Sequence, residues 1–185
     1  MTHDTTMPIV GVSSCLLGNH VRYDGGHRHS IVITDTLHRF FNLFPVCPEV
    51  ECGLPVPREA MRLEGDPADP RLMTIESRID MTGRMEAFCR EKLAELERLQ
   101  LCGFILKKGS PSCGVSGIGI HQDNVPAGRG SGLFAAALNR RFPMLPVEEE
   151  DRLDNPVIRE DFIARAASYH RTRDEQCSRL DVTGQ

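Results

Sequence analysis

Apolar positions along the chain fall into two kinds of run. Three runs are short and closed by small, polar or basic residues: PIVGVSS at 8–14, LFPVCPE at 43–49 and CGFILKK at 102–108. They predict buried strands, with Pro45 and Pro48 limiting how far the second can pair centrally. GVSGIGIH at 114–121 and MLPV at 144–147 predict two further short strands. Between them the apolar residues recur at helical spacing. Leu37, Phe40 and Phe41 do so in 34–42, behind a Thr/Asp start signal. Met81, Met85, Phe88, Leu93, Leu96 and Leu99 form a stripe over 81–99, with Glu and Arg on the opposite face. A third helix is predicted near 132–141. A fourth has Asn155 as cap and Pro156 at its first position, with Ile158, Phe162, Ala166 and Tyr169 on one face.

The stretch 55–78 reads as loop around GDPADP, with one extended segment at 72–74. SRLDVTGQ at 178–185 reads as a frayed tail. Strands alternating with helices predict an α/β fold, a Rossmann-like parallel sheet with flanking helices and right-handed crossovers. Such sheets bind ligands outside the carboxyl ends of their strands.

A chain of 185 residues that is 40% hydrophobic is long enough for one domain with a core and a short tail. The formal charge of −4 argues against a surface built to neutralise nucleic-acid phosphate, so any RNA contact is local. The N-terminal MTHDTTMPIVGVSS has no basic region or long apolar stretch, and no run approaches a membrane span, so the expected address is cytoplasmic. Seven cysteines are an odd number for a chain read as cytoplasmic, where thiols stay reduced. Metal binding or chemistry explains them better than disulfides.

Cys89 belongs to the apolar stripe of its helix and Cys102 opens an apolar strand, so both read as core thiols. Cys177 lies in a polar segment and reads as incidental. Cys15, Cys47, Cys52 and Cys113 remain, at or near the carboxyl ends of predicted strands. Four thiolates suit a closed tetrahedral zinc site, for which the C-x4-C spacing at 47 and 52 is loose. Thiolates also hold iron–sulfur clusters, and with only three ligands one iron keeps an open position. His27 and His29 form a metal pair or, more commonly for such a loop, a solvated turn. The glycines and serine before the helix at 132 suit an anion, but the G-x-G-x-x-G spacing is missing and capping by Ser131 fits better. Lys107 and Lys108 read equally as a substrate clamp or a solvated rim.

SSCLLGNHVRYDGGH, CPEVECGLPVPRE and SPSCG, in this order and spacing, resemble the thiouracil desulfidase family, a formerly uncharacterised bacterial family, over residues 10–138. The resemblance implies a 4Fe-4S cluster held by Cys15, Cys47 and Cys113, whose fourth iron takes the sulfur of a thiolated uracil. It implies acid/base and orienting roles for Glu49 and Ser110, and hydrolytic release of uracil and hydrosulfide without net electron transfer. On this view residues 1–145 form the catalytic domain and 146–185 a C-terminal extension with one helix and the frayed tail. The implied substrate is 2- or 4-thiouracil, or thiouridine as nucleoside or in tRNA. The tRNA option comes from LPVEEEDRLDNPVIREDFIARAASYHR, which resembles the junction to a further domain in longer relatives. Cys52 stands where short members usually have no thiol. The rival reading is a non-enzymatic zinc-stabilised or iron–sulfur-sensing module, with Glu49 and Ser110 idle on the surface. For Glu49 itself the plainer alternative is a turn cap or an ion pair with Arg58.

Overall fold

PIVGVSS forms the strand β1 (Ile9–Ser13), and its alternation is read by both faces of a sheet. Val10 and Val12 point into one apolar cluster, while Ile9 packs against another on the opposite side. The same division holds in β5 (Gly103–Leu106), where Ile105 joins the first cluster and Phe104 and Leu106 the second. A strand buried on both faces belongs in the middle of a parallel sheet, and β1 lies between β2 (Asn42–Val46) and β5 (Gly103–Leu106), parallel to both. The computed structural model, which describes residues 7–182, completes this sheet with β8 (Val147–Glu149), in the order β2-β1-β5-β8.

The order places the functional region. After β2 the chain crosses to the far side of β1, so the crossovers on either side of that reversal lie on opposite faces. The helical turns over Val32–Thr36 and Leu37–Arg39 cover one face with Ile33 and Leu37, joined there by Phe162 and Ala166 of α4 (Pro156–Val182). The other face is covered by α2 (Thr82–Arg98) and α3 (Leu133–Arg141). The crevice left at the reversal opens at the carboxyl ends of β1, β2 and β5.

The α/β fold with a parallel sheet and flanking helices is the one expected, and four details differ. The stretch 55–78 is not mainly loop: β3 (Met61–Asp66) and β4 (Asp69–Thr74) form a hairpin. β3 pairs in parallel with β6 (Ile118–Gln122), which forms a second hairpin with β7 (Val125–Gly130), so a mixed sheet β4-β3-β6-β7 stands beside the parallel one. The helix expected over 34–42 is a π turn followed by a 3-10 turn. The strand expected at 144–147 begins at Val147, because Pro146 carries no N–H to donate to the ladder. The tail expected from residue 178 is helical to Val182, and 183–185 lie outside the described residues. Asn155 caps α4 as expected, its Oδ1 accepting from the Val157 N–H at 2.9 Å. Among the described residues no helix is long and apolar enough to cross a membrane.

Candidate functional site

Three of the segments that leave the carboxyl edge of the parallel sheet bring a thiol to one place, those after β1, β2 and β5. Beyond β1 the chain makes a single 3-10 turn (Ser14–Leu17) that carries Cys15 and closes on Gly18. Beyond β2, Cys47 is the cap of the one-turn helix α1 (Pro48–Glu51), with Pro48 at the first position, where a missing N–H is harmless. The Cys47 N–H donates to Glu51 Oε1 at 2.7 Å, and Glu51 is tied in turn to Lys92 of α2 at 2.6 Å. Beyond β5, Ser110 Oγ accepts from the N–H groups of Ser112 and Cys113 at 3.2 and 3.1 Å, which folds SPSC into a turn.

That turn sits on the N-terminus of α3. The Leu133 N–H donates to Pro111 O, and those of Phe134 and Ala135 to Ser112 O, so the helix's first donors are consumed by the loop. Ser131 therefore does not cap α3. Gly132 does so with its backbone, and Ser131 Oγ donates to Val115 O at 2.6 Å. No side chain fits at Gly132, where a Cβ would lie 2.5 Å from the Ser112 carbonyl. Gly114 is equally constrained, since its Cβ would overlap Ile118 and come within 3.0 Å of Ser110 O.

Cys15, Cys47 and Cys113 all line one cavity of about 290 Å³, together with Glu49, Ser110, Arg22, Tyr23, Arg58, Lys107 and Lys108. Cys52, five residues after Cys47, does not line it. Its thiol donates to Glu49 O at 3.2 Å on the side facing α2; burial raises it, Arg84 opposes that, and it in turn raises Cys89. Cys89 and Cys102 are buried in the core, as the sequence suggests, and the Cys177 side chain lies outside the described residues. His27 and His29 sit on an exposed loop away from the cavity; the His29 N–H donates to His27 Nδ1 at 3.2 Å, and His29 Nε2 lies 3.0 Å from Thr34 Oγ1. They form the solvated turn.

Burial shapes the thiols. It pushes Cys15 up to about 11, helped by Cys47 and opposed by Lys107 and Arg22. Burial raises Cys47 as well, and Cys113 further still, against the pull of the Ser13 hydroxyl. At neutral pH these thiols are protonated, and any metal bound there must displace protons.

Glu49 is ion-paired with Arg58: Nε and Nη2 both donate to Oε2, at 2.8 and 2.6 Å. Its Oε1 accepts from Ser112 Oγ at 2.9 Å. The pairing weighed as the plainer reading is thus present, on the wall of the cavity. Lys107 pairs with Glu150, and Lys108 with Asp151 at 2.6 Å. The sequence gives no signal that separates Ser112 from Ser110, the two serines flanking Pro111 in SPSC. Ser13, whose Oγ accepts from the Lys107 N–H at 2.9 Å, was missed as an ordinary strand end.

Fold and cavity define an α/β protein with a thiol-lined site at the reversal point of its sheet. Its residues 10–150 match the model of the 2-thiouracil desulfurase family, and the chain belongs to that family. It is 31% identical over 137 residues to the uncharacterized protein YbbK of Bacillus subtilis (strain 168), a match covering 70% of this chain and 88% of that protein. It also aligns with the solved structure of the 4Fe-4S-dependent thiouracil desulfidase TudS. There the TM-score is 0.65 and the identity 33%, over 80% of this chain and 93% of that one.

Proposed function

We propose that this protein is an iron–sulfur-dependent desulfidase that removes sulfur from a thiolated uracil, as free base or nucleoside, giving uracil or uridine, respectively, and hydrosulfide. The observation that carries the reading is the convergence of Cys15, Cys47 and Cys113 on one cavity that also receives Glu49. The donor set suits a 4Fe-4S cluster. Three soft thiols from three loops line the cavity, and cysteine thiolates are the ligands that such clusters take. Cys15, Cys47 and Cys113 would hold such a cluster, which would supply Lewis-acid chemistry toward a soft thiocarbonyl sulfur.

The chain's own residues perform the proton chemistry. Glu49 takes a proton from the water that attacks the thiocarbonyl carbon and returns it to the ring nitrogen or the departing sulfur, so C=S and H2O become C=O, hydrosulfide and a proton released to solvent. Ser110, its Oγ already accepting twice from the loop backbone, keeps its own proton to orient water or substrate. Lys107 and Arg22, the cations acting on Cys15, favour the anionic thiolate there. In this reading residues 1–145 hold the catalytic groups, and 146–185 brace them through Glu150 and Asp151.

The test is anaerobic reconstitution with iron and sulfide, followed by assay on 2- and 4-thiouracil. Bound iron with acid-labile sulfide and release of hydrosulfide are expected. Protein that binds zinc alone and turns over neither base would overturn the proposal.

A further inference from the structure

Arg58 is buried more deeply than its position on a loop requires, with its side chain 6% exposed. Besides its two bonds to Glu49, Nη2 donates to Val21 O at 2.9 Å and Nη1 to Pro55 O at 3.2 Å, while its backbone N–H donates to Tyr23 O at 2.8 Å. Val21 O also accepts from the Cys47 thiol at 3.8 Å. On the other side of Glu49, Ser112 is fully buried and adjacent to Cys113. One connected set of bonds therefore joins the segment after Cys15, the turn after Cys47 and the loop of Cys113. Glu49 lies at its centre, with each carboxylate oxygen held by a different element.

We infer that Arg58 and Ser112 are positioning residues that clamp the two oxygens of Glu49 and fix its carboxylate toward the cavity before substrate arrives. The inference rests on the reading of Glu49 as the base. A carboxylate held by only one oxygen turns about its last torsion, and small misplacements of a reacting group cost rate steeply. A guanidinium suits the task because its planar fork serves Glu49 and two backbone carbonyls together, which an ammonium cannot reproduce.

The test uses cluster-loaded protein of equal iron and sulfide content, assayed on thiouracil as wild type, Ser112→Ala, Glu49→Gln and the double variant. Ser112→Ala is expected to lower kcat by about 10-fold with KM nearly unchanged, and to add less than about 2-fold in the Glu49→Gln background. Arg58→Lys is expected to lower kcat similarly; if it does not fold, the Ser112 cycle still decides. A second readout needs no cluster. In apo-protein carrying glutamate isotopically labelled at the side-chain carboxyl, the Glu49 resonance, identified by its loss in Glu49→Gln, should shift in Ser112→Ala.

Wild-type kcat in Ser112→Ala, or losses that multiply fully in the double variant, would overturn the inference. So would an unmoved Glu49 resonance. Wild-type turnover in loaded Glu49→Gln would remove the base and the clamp together. Loaded wild-type protein inert toward every thiouracil would instead sink the proposed function.

Discussion

Glu49 and Glu64 are two of the carboxylates that arginines hold in this molecule, the first at the edge of the parallel sheet and the second on the hairpin sheet. Glu64, on β3, lies between Arg62 and Arg78, each with a nitrogen 2.6 Å from one of its oxygens. Chiefly through Arg78, these bonds hold its carboxyl down at about 2, against burial. It lines no described cavity and has no thiol among its partners, and Arg78 is half exposed. Glu49 has one arginine, a fully buried serine and a cavity shared with three thiols. An ion pair alone therefore marks neither function nor its absence. What separates the two is the company each keeps, and that follows from where the parallel sheet reverses its order. The thiols repeat the lesson over a shorter distance. Cys47 and Cys52 stand at the two ends of a single helical turn, one facing the cavity and the other α2.

The sharpest way to break the comparison is to remove the thiols one at a time. Cys15→Ala, Cys47→Ala and Cys113→Ala should each abolish retention of iron and labile sulfide after anaerobic reconstitution, while Cys52→Ala and Cys89→Ala retain them. A cluster lost in Cys52→Ala and kept in Cys47→Ala would reverse the assignment. Next in size is the carboxylate pair. Glu49→Gln should cut desulfidation by about 100-fold or more at normal cluster content, whereas Glu64→Gln leaves it unchanged; steady-state assays of the two side by side check this.

A smaller effect tests how the Cys113 loop is seated. In Gly132→Ala the new methyl meets the Ser112 carbonyl and lies 2.8 Å from the Cys113 N–H, so the loop or the helix must shift. A loss of about 1–3 kcal/mol in denaturant unfolding is expected. The smallest effect belongs to the hairpin sheet. Because the Glu64 carboxyl is lower folded than unfolded, its contribution is present above the ordinary value of 4.5 and is lost as pH falls through about 2. Glu64→Gln should lower Tm by about 2–4 °C at neutral pH, and the gap to wild type should close on acidification, as followed by circular dichroism.

The elements read correctly from sequence are those whose local pattern agrees with their packing. The stripe from Met81 to Leu99 became α2, and PIVGVSS and CGFILKK became the two central strands, because buried strands and amphipathic helices announce their surroundings in their own composition. The hairpin sheet was harder to see. MRLEGD and DPRLMT alternate poorly and carry charge and proline, and their pairing with β6 bridges distant parts of the chain. One signal was present and unread: Asp123 and Asn124 both have positive φ, 49° and 64°, as the two-residue turn between β6 and β7 demands, and both residue types tolerate it.

The sequence by itself determined that this is an α/β protein with thiols at strand ends, and its three motifs named their family. Through that resemblance it could also nominate Cys15, Cys47, Cys113, Glu49 and Ser110, whereas position at strand ends left Cys52 beside the other three thiols. Only the tertiary structure decided that Cys15, Cys47 and Cys113 share a cavity while Cys52 faces away from it, and that Glu49 is gripped from both sides. Ser112 lies 63 residues from Glu49 along the chain, and the bond between them exists because β1, β2 and β5 align their carboxyl ends. Local pattern encodes what a residue's own element buries. Contacts between loops arise from the order in which strands assemble, which no single segment carries.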